Sequence, residues 1–264
     1  MRWLLRADWA LFLLLAAVFA LEPGCSKGGA GEKRPAAIVE ILDEASNSAK
    51  KIRFDTGRAR RYLEKAMAGS RAFRMAGPEE SGAYRASLRI VLASERQAGG
   101  EKAVGVYRAV QVELEFEQRR SQGGDSLLAT GKQFLVQDPE RNDKSDGFDA
   151  VLEMAVQRAM DVADLQMDMR FMDVDELRKA LADPHVEKRL YALRSLRQRK
   201  APGLVPDIIK KLNDEDADVV VEAVGALVAQ KDRRAVAPLI RSTSRRDGVF
   251  LLQIITALGE LGGA

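Results

Sequence analysis

Polar and apolar residues alternate with a period of two in the middle of the chain. From Tyr84 to Leu92 the even-numbered residues are apolar or aromatic, and from Val104 to Glu117 the apolar face is mostly Val, Leu and Phe. The opposite face of the second run is mostly Glu and Gln. This period predicts antiparallel strands with one buried and one solvated face. A third strand is predicted from 127 to 136, because Gly-rich links separate the three runs.

Charged residues on the solvated faces of these strands are expected to pair across the sheet. Arg85 and Arg89 stand on one strand, and Glu113 and Glu115 stand on the next. Each such cross-strand pair contributes roughly 0.2–1 kcal/mol.

A helical period appears on both sides of the predicted strands. Upstream, Thr56 is expected to act as the N-cap of a helix with apolar positions from Ala59 to Ser70. Before it, residues 38–45 fit either a short helix or an opening strand. After it, SRAFRM (70–75) predicts a short strand.

A long helix begins near Phe148, and its apolar stripe, which reaches Val162, is expected to cover the sheet. The order helix, antiparallel three- to four-stranded sheet, helix predicts a two-layer α+β domain over 36–170. This order of elements is similar to that of small domains in bacterial envelope-assembly lipoproteins of the penicillin-binding-protein activator and curli-secretion kind. The resemblance implies a domain that binds another envelope protein.

The C-terminal third repeats with a period of 31 residues. Within each unit the apolar residues follow a helical spacing, broken once by a turn, which predicts helix–turn–helix units that stack. The expected repeat core is Leu193, Leu196, Ile208, Val224, Leu227, Leu239, Ile255 and Leu258. His185 opens the first unit and is interpreted as a turn or helix N-terminal residue.

The units DPHVEKRLYALRSLRQRKAPGLVPDIIKKL and DEDADVVVEAVGALVAQKDRRAVAPLIRS resemble short HEAT-like repeats of the phycobilisome-lyase type. The resemblance covers 174–264 and implies an all-α solenoid that binds partners along a concave face. Arg189 stands where that family often has an inward Arg, and Val220 replaces it in the second unit. The third unit is incomplete, so we expect further units beyond Ala264, or else a face that docks on the α+β domain or on a partner.

The N-terminal 25 residues predict an export signal. Arg2 and Arg6 precede an apolar run from Trp9 to Leu21, which as a helix spans about 20 Å and is too short for a bilayer core of about 30 Å. The run ends at Gly24-Cys25, which resembles the lipobox of bacterial lipoproteins, although Glu22 stands where that pattern prefers an aliphatic residue. The resemblance implies lipidation of Cys25, whereas an ordinary signal peptide, an uncleaved anchor and a free thiol are the alternatives.

The segment after Cys25 is expected to be a flexible tether over 26–35, rich in Gly and Lys. Ser26 directly follows the cysteine. By the sorting rule of bacterial lipoproteins, the resemblance then implies the outer membrane, with the folded part on its periplasmic face.

Composition narrows the function. The chain of 264 residues has 42 Lys and Arg against 39 Asp and Glu, a net charge of +3 that is too balanced to predict nucleic-acid binding. One Cys and one His exclude an internal disulfide framework and a Cys/His zinc cluster.

The acidic residues from Asp161 to Glu176 are interpreted as a solvated helix face and a cap, and the methionines nearby as core packing. No phosphate loop, GxSxG elbow or HExxH helix appears, so no catalytic residue, cofactor or metal ligand is assigned.

The sequence therefore predicts a membrane-anchored periplasmic lipoprotein, not an enzyme, that binds envelope proteins through its HEAT-like repeats. One alternative is a non-catalytic subunit or regulator of an envelope enzyme, since such repeats also occur in bilin lyases. A second alternative is an anionic-surface binder that uses two clusters of arginines, namely Arg58, Arg60 and Arg61, and Arg241, Arg245 and Arg246.

Overall fold

The computed structural model describes residues 32–45, 52–77, 79–98, 105–118, 125–137, 147–244 and 248–262. Lys33–Ala264 form one compact unit. The strands are β1 (Arg34–Asp43), β2 (Phe73–Met75), β3 (Tyr84–Ala98), β4 (Gly105–Gln118) and β5 (Asp125–Gln137). The helices are α1 (Thr56–Gly69), α2 (Gly147–Phe171), α3 (Val174–Leu181), α4 (Val186–Gln198), α5 (Val205–Lys210), α6 (Ala217–Gln230), α7 (Val236–Thr243) and α8 (Gly248–Gly262). Short 3₁₀ turns lie at Pro202–Leu204, Lys211–Asn213 and Arg233–Ala235.

The described strands form one mixed five-stranded sheet in the order β2-β1-β3-β4-β5. The meander β3-β4-β5 is antiparallel, as the alternating pattern predicts, and Arg89 pairs with Glu113 at 2.7 Å across it. In contrast, β1 runs parallel to both of its neighbours. The prediction of an antiparallel sheet of three to four strands is therefore wrong in strand number and in strand direction.

Strand β1 is the strand that the sequence pattern left undecided. It forms a crossover unit with α1 and β2, and the backbone N–H of Arg34 donates to the carbonyl of Ala72 at 2.8 Å. The pairing of β1 with β3 shifts between Ile38 and Glu40, and this irregularity interrupts the period of two. That is why residues 38–45 also fitted a helix.

A bulge in β3 changes which residues face the core. The pairing with β4 shifts between Ile90 and Leu92, which inserts one extra residue into β3. Ile90 is buried, whereas Leu92 is turned to the outer face and Ala93 takes the next buried position. The prediction that Leu92 shares the face of Ile90 is wrong, because one inserted residue reverses the alternation beyond it.

Helix α1 is capped by a different residue from the one predicted. Thr56 is the first helical residue, and the carboxylate of Asp55 accepts hydrogen bonds from the backbone N–H groups of Gly57 (2.8 Å) and Arg58 (3.2 Å). Both residue types are good caps, so the sequence alone did not separate them.

Replacing Asp55 by alanine is expected to lower the free energy of unfolding by about 1 kcal/mol, because two N–H groups at the helix start lose their acceptor. Urea unfolding followed by circular dichroism measures the change. Thr56→Ala is the matched control and should leave the midpoint nearly unchanged. An equal loss in both variants would contradict the assignment of Asp55 as the cap.

Helices α1 and α2 cover one face of the sheet and give two layers. The largest core side chains include Phe73 and Phe116, which stack with ring centroids 4.0 Å apart. Helix α2 packs on β4 and β5 and lies close to the sheet at Gly131, where a Cβ atom would overlap the carbonyl oxygen of Ala155. The predicted two-layer arrangement is therefore present, with α2 as its cover.

One member of the acidic stretch lies inside the protein. Asp164 is buried in α2, and its carboxylate accepts from Ser70 Oγ at 2.6 Å and from the backbone N–H groups of Arg71 and Ala72 at 2.8 and 3.2 Å. The interpretation as a solvated face is wrong for this residue, which fixes the turn from α1 into β2. Asp173, in contrast, caps α3 as expected.

Candidate functional site

The helices after α2 repeat in strict register. Second helices of the units begin at Val174, Val205 and Val236, and first helices begin at Val186, Ala217 and Gly248. Each step is the 31 residues predicted from the sequence. Helices α4, α6 and α8 thus form one row, and α3, α5 and α7 form the other.

The repeats share a continuous apolar core. Most of the predicted core residues are buried there: Leu193, Leu196, Ile208, Val224, Leu227 and Leu239. Leu258 is partly buried and packs against them. Ile255 is 53% exposed, and Ile254 occupies the buried position instead. The prediction that Ile255 lies in the core is therefore wrong. It relied on equivalence to Val224, one period earlier, but Val224 is buried whereas Ile255 is exposed.

Arg189 joins consecutive units from the inside. It is 5% exposed, and its guanidinium donates to the carboxylate of Asp214 at 2.8 Å and to the carbonyl oxygens of Asp183 and Pro184 at 3.0 and 2.9 Å. Burial alone would raise the pKa of Asp214, but hydrogen bonds led by the one from Arg189 outweigh it and hold that pKa below its ordinary value. The inward Arg that the HEAT-like resemblance implies is thus Arg189, and it forms an ion pair with Asp214 of the next unit.

Two residues one period apart also form hydrogen bonds with the end of the preceding helix. Gln230 donates to the carbonyl oxygens of Leu196 and Arg199 at 2.6 and 2.9 Å. Arg199, one period earlier, donates to the carbonyl oxygens of Arg170 and Met172 at the end of α2. The C-terminal half of α2 therefore takes the place of a first helix, and it connects the sheet to the repeats.

A cavity of about 540 Å³ with charged side chains in its lining opens beside this junction. Its lining comes from α2, α4 and α6 and includes Arg170, Tyr191, Arg194, Arg197 and Glu222. Arg194 and Arg197 both donate to Glu222, at 3.4 and 3.0 Å. The cavity was not predicted, because its residues come from three helices that are far apart in the chain.

A smaller hollow of about 140 Å³ lies in the other row, between α5 and α7. Ile209 and Leu212 contribute its apolar lining, and Arg241 and Asn213 are polar. On the same row the side chain of Ile240 is 54% exposed. This row therefore offers mixed apolar and polar contact area, but its recess is much smaller.

The other residues singled out from the sequence do not converge on a site. His185 directly precedes α4, is exposed, and its Nδ1 lies 2.9 Å from Asp183 Oδ1, in agreement with the turn interpretation. Arg58 pairs with Asp149 on α2, and Arg60 bonds the carbonyl of Ile38. Cys25, most of the tether over 26–35, Arg245 and Arg246 lie outside the described residues.

Metal-binding clusters and membrane-spanning helices are both absent from the described ranges. No group of three or more His, Cys, Asp or Glu side chains there is placed to hold a metal ion. Within the same ranges no helix combines the length and the apolar character that crossing a bilayer requires.

Comparison with known proteins identifies the C-terminal part. Residues 174–262 match the family described as HEAT repeats, in agreement with the resemblance of the 31-residue units to HEAT-like repeats. Among solved structures the chain is similar to a hypothetical protein from Chlamydia trachomatis, at 11% identity and a TM-score of 0.36, over 52% of this chain and 96% of that one. No curated protein matches the chain.

Proposed function

We propose that this protein is a lipid-anchored scaffold of the bacterial envelope that binds other envelope proteins through its HEAT repeats. The match of 174–262 to HEAT repeats carries the proposal, because stacks of this kind generally serve as protein-binding surfaces. The other parts of the proposal rest on the N-terminal sequence and on the character of the repeat surface.

The surface of the repeats supports a role in binding. Ile240, Leu252 and Ile255 on α7 and α8 are between 53% and 63% exposed. These exposed side chains give the repeats apolar area that a protein partner can cover. The cavity at the junction adds a recessed, charged contact area beside α4.

The anchor rests on Cys25, the single cysteine, which directly follows Gly24 at the end of the apolar run. A lipoprotein Cys carries a diacylglycerol and an N-acyl chain, and each buried CH₂ contributes roughly 0.8 kcal/mol to membrane binding. More than one acyl chain gives a firm anchor. The tether over 26–35 would then separate the folded part from the membrane surface.

Cys25→Ala is expected to release the protein from the membrane fraction or to leave it unprocessed, since the residue that would carry the lipid is gone. Membrane fractionation and labelling with a fatty-acid analogue measure this. Ser26→Ala is a neighbouring control that should keep the label. Unchanged fractionation of Cys25→Ala together with an absence of label in the unaltered protein would overturn the anchor.

The scaffold role is tested by affinity purification of the full chain from its own membranes, followed by mass spectrometry of co-purifying proteins. Envelope proteins should be enriched, and the enrichment should fall when exposed Leu252 and Ile255 are both changed to Ser. The paired change Met154→Ser and Phe171→Ser, at exposed positions of α2, is the control. Recovery of no envelope protein would overturn the proposal.

A further inference from the structure

The cavity at the junction of α2, α4 and α6 differs from the rest of the surface in how its charges are arranged. Its volume of about 540 Å³ lies within the range typical of ligand-binding cavities. Arg170 comes from α2, Arg194 and Arg197 come from α4, and Glu222 comes from α6. Arg170 donates to the carbonyl oxygen of Ser126 at 2.7 Å. Arg194 and Arg197 place two guanidiniums beside the one carboxylate among the described lining residues, which leaves an excess of positive charge.

The two arginines of α4 are held in fixed positions. Arg194 lies over the ring of Tyr191, with Cζ 5.0 Å from the ring centroid, and its Nε donates to Glu222. Arg197 donates to the other oxygen of Glu222 and rests on α6 at Gly225, where a Cβ atom would stand 3.2 Å from its guanidinium carbon. Glycine at this position therefore allows the guanidinium to lie against the helix backbone.

Both guanidiniums keep donors for a further partner. A guanidinium carries five N–H groups, and the bond to Glu222 uses one from each arginine. The side chains of Arg194 and Arg197 are 48% and 54% exposed, whereas that of Glu222 is 10% exposed. The cationic groups therefore face the solvent side of the cavity, and the carboxylate lies beneath them.

We propose that this cavity binds the carboxylate side chains of an acidic peptide segment from a protein partner. This inference rests on the proposed function and names the chemistry of the partner. Guanidinium groups match carboxylates in geometry, and arginines that are already positioned lose less entropy when they bind.

The position of Glu222 favours spaced carboxylates over one compact anion. Because Glu222 bridges Arg194 and Arg197, a phosphate that contacted both guanidiniums at once would approach its negative charge. Carboxylates at alternate positions of an extended peptide stand about 7 Å apart. They can therefore reach the guanidiniums of Arg194 and Arg197 separately, on the sides away from Glu222.

The test is a titration of the full chain, purified in a neutral detergent, with a fluorescein-labelled hexaglutamate peptide, read as fluorescence anisotropy. Hexaglutamate should bind, labelled hexaglutamine should not, and higher salt should weaken binding. Arg194→Gln with Arg197→Gln should weaken it about tenfold or more. Arg178→Gln with Arg241→Gln removes the same charge from α3 and α7 and should change it less than about twofold.

A change of opposite sign distinguishes direct binding from a loss of structure. Glu222→Gln removes the competing carboxylate and should tighten hexaglutamate binding, because both arginines then lack their internal anion. Thermal unfolding by circular dichroism checks that each variant is folded. Equal loss of binding in the α4 pair and in the control pair, or no gain in Glu222→Gln, would overturn the site.

Competition identifies the class of ligand. Inorganic phosphate at the same ionic strength, a single-stranded oligonucleotide and anionic vesicles should displace the peptide less effectively than unlabelled hexaglutamate. Stronger displacement by any of them would overturn the peptide assignment. Partner capture that survives the α4 variants would overturn the cavity but not the scaffold. A failed capture with intact peptide binding would instead overturn the scaffold.

Discussion

Gly131→Ala is expected to lower the free energy of unfolding by about 3 kcal/mol or more. The added Cβ would overlap the backbone carbonyl oxygen of Ala155 and stand 2.7 Å from the backbone nitrogen of Ala159. These are main-chain atoms of α2, so no side-chain rotation relieves the contact and the helix must move away from β5. Overpacking a core commonly costs about 1–3 kcal/mol, and a clash with helix backbone belongs at or above the upper end.

The measurement is urea unfolding followed by far-ultraviolet circular dichroism. Gly69→Ala is the control, because a Cβ atom there meets nothing within 4 Å and Gly69 is the last residue of α1. It should change stability by less than about 1 kcal/mol. A Gly131→Ala variant as stable as the unaltered protein would show that α2 does not pack against β5 at this distance.

The sheet shows which part of the fold local pattern can reveal. The meander was predicted because each of its strands has one buried and one solvated face. Apolar and polar residues therefore alternate along the sequence with a period of two. Strand β1 was not distinguished from a helix, because a register shift between Ile38 and Glu40 interrupts its alternation. Its place in the sheet also depends on pairing with β2 and β3, which come from later segments. The bulge after Ile90 leaves no pattern of its own, and therefore Leu92 was placed on the wrong face.

The repeats were predicted in more detail than the other helices, because equivalent positions in successive units can be compared with one another. A helix that occurs once offers no such comparison. The starts of α3, α5 and α7 agree with a 31-residue step. Helix α2 offers no such comparison, since its apolar positions serve the sheet as well as the repeats. Its role as a preceding first helix appears in the structure through Arg199 and Gln230, which stand one period apart and both donate to main-chain carbonyl oxygens at the end of the preceding helix.

The cavity could not be predicted from the sequence, because its charged residues come from helices that are distant in the chain. Arg194 and Arg197 are three residues apart and so share one face of a helix, which is a signal that the sequence does contain. Their partner Glu222 lies more than 20 residues later, and Arg170 more than 20 residues earlier. Only the stacking of α2, α4 and α6 shows that these charges converge.

Arg189→Met is expected to lower the free energy of unfolding by about 3 kcal/mol at pH 7, because it leaves Asp214 buried without its main cation. Both side chains of the pair are 5% exposed. Arg189→Met with Asp214→Asn is the matched control and should recover a large part of the loss, since the buried carboxylate charge is then gone. Urea unfolding of the unaltered protein, Arg189→Met, Asp214→Asn and the double variant gives the coupling energy of the pair. A single variant as stable as the unaltered protein would contradict the role of this ion pair in joining the units.

The same pair predicts a dependence on pH that sets it apart from a simple packing effect. Because the folded-state pKa of Asp214 is below its ordinary value, its contribution is present above about pH 4 and is lost as the pH falls through the folded pKa. In Arg189→Met the carboxylate keeps Lys211 and the backbone N–H of Asp216 as partners but loses the Arg189 guanidinium. Its folded-state pKa is then higher, so less stability is lost when it is protonated. The difference in stability between the unaltered protein and Arg189→Met should therefore shrink as the pH falls from 7 toward about 3.5. Leu193→Ala, a cavity-forming change in the same core, should show a difference that stays constant over that range. If the two differences follow the same course, the loss in Arg189→Met arises from packing and not from the charge of Asp214.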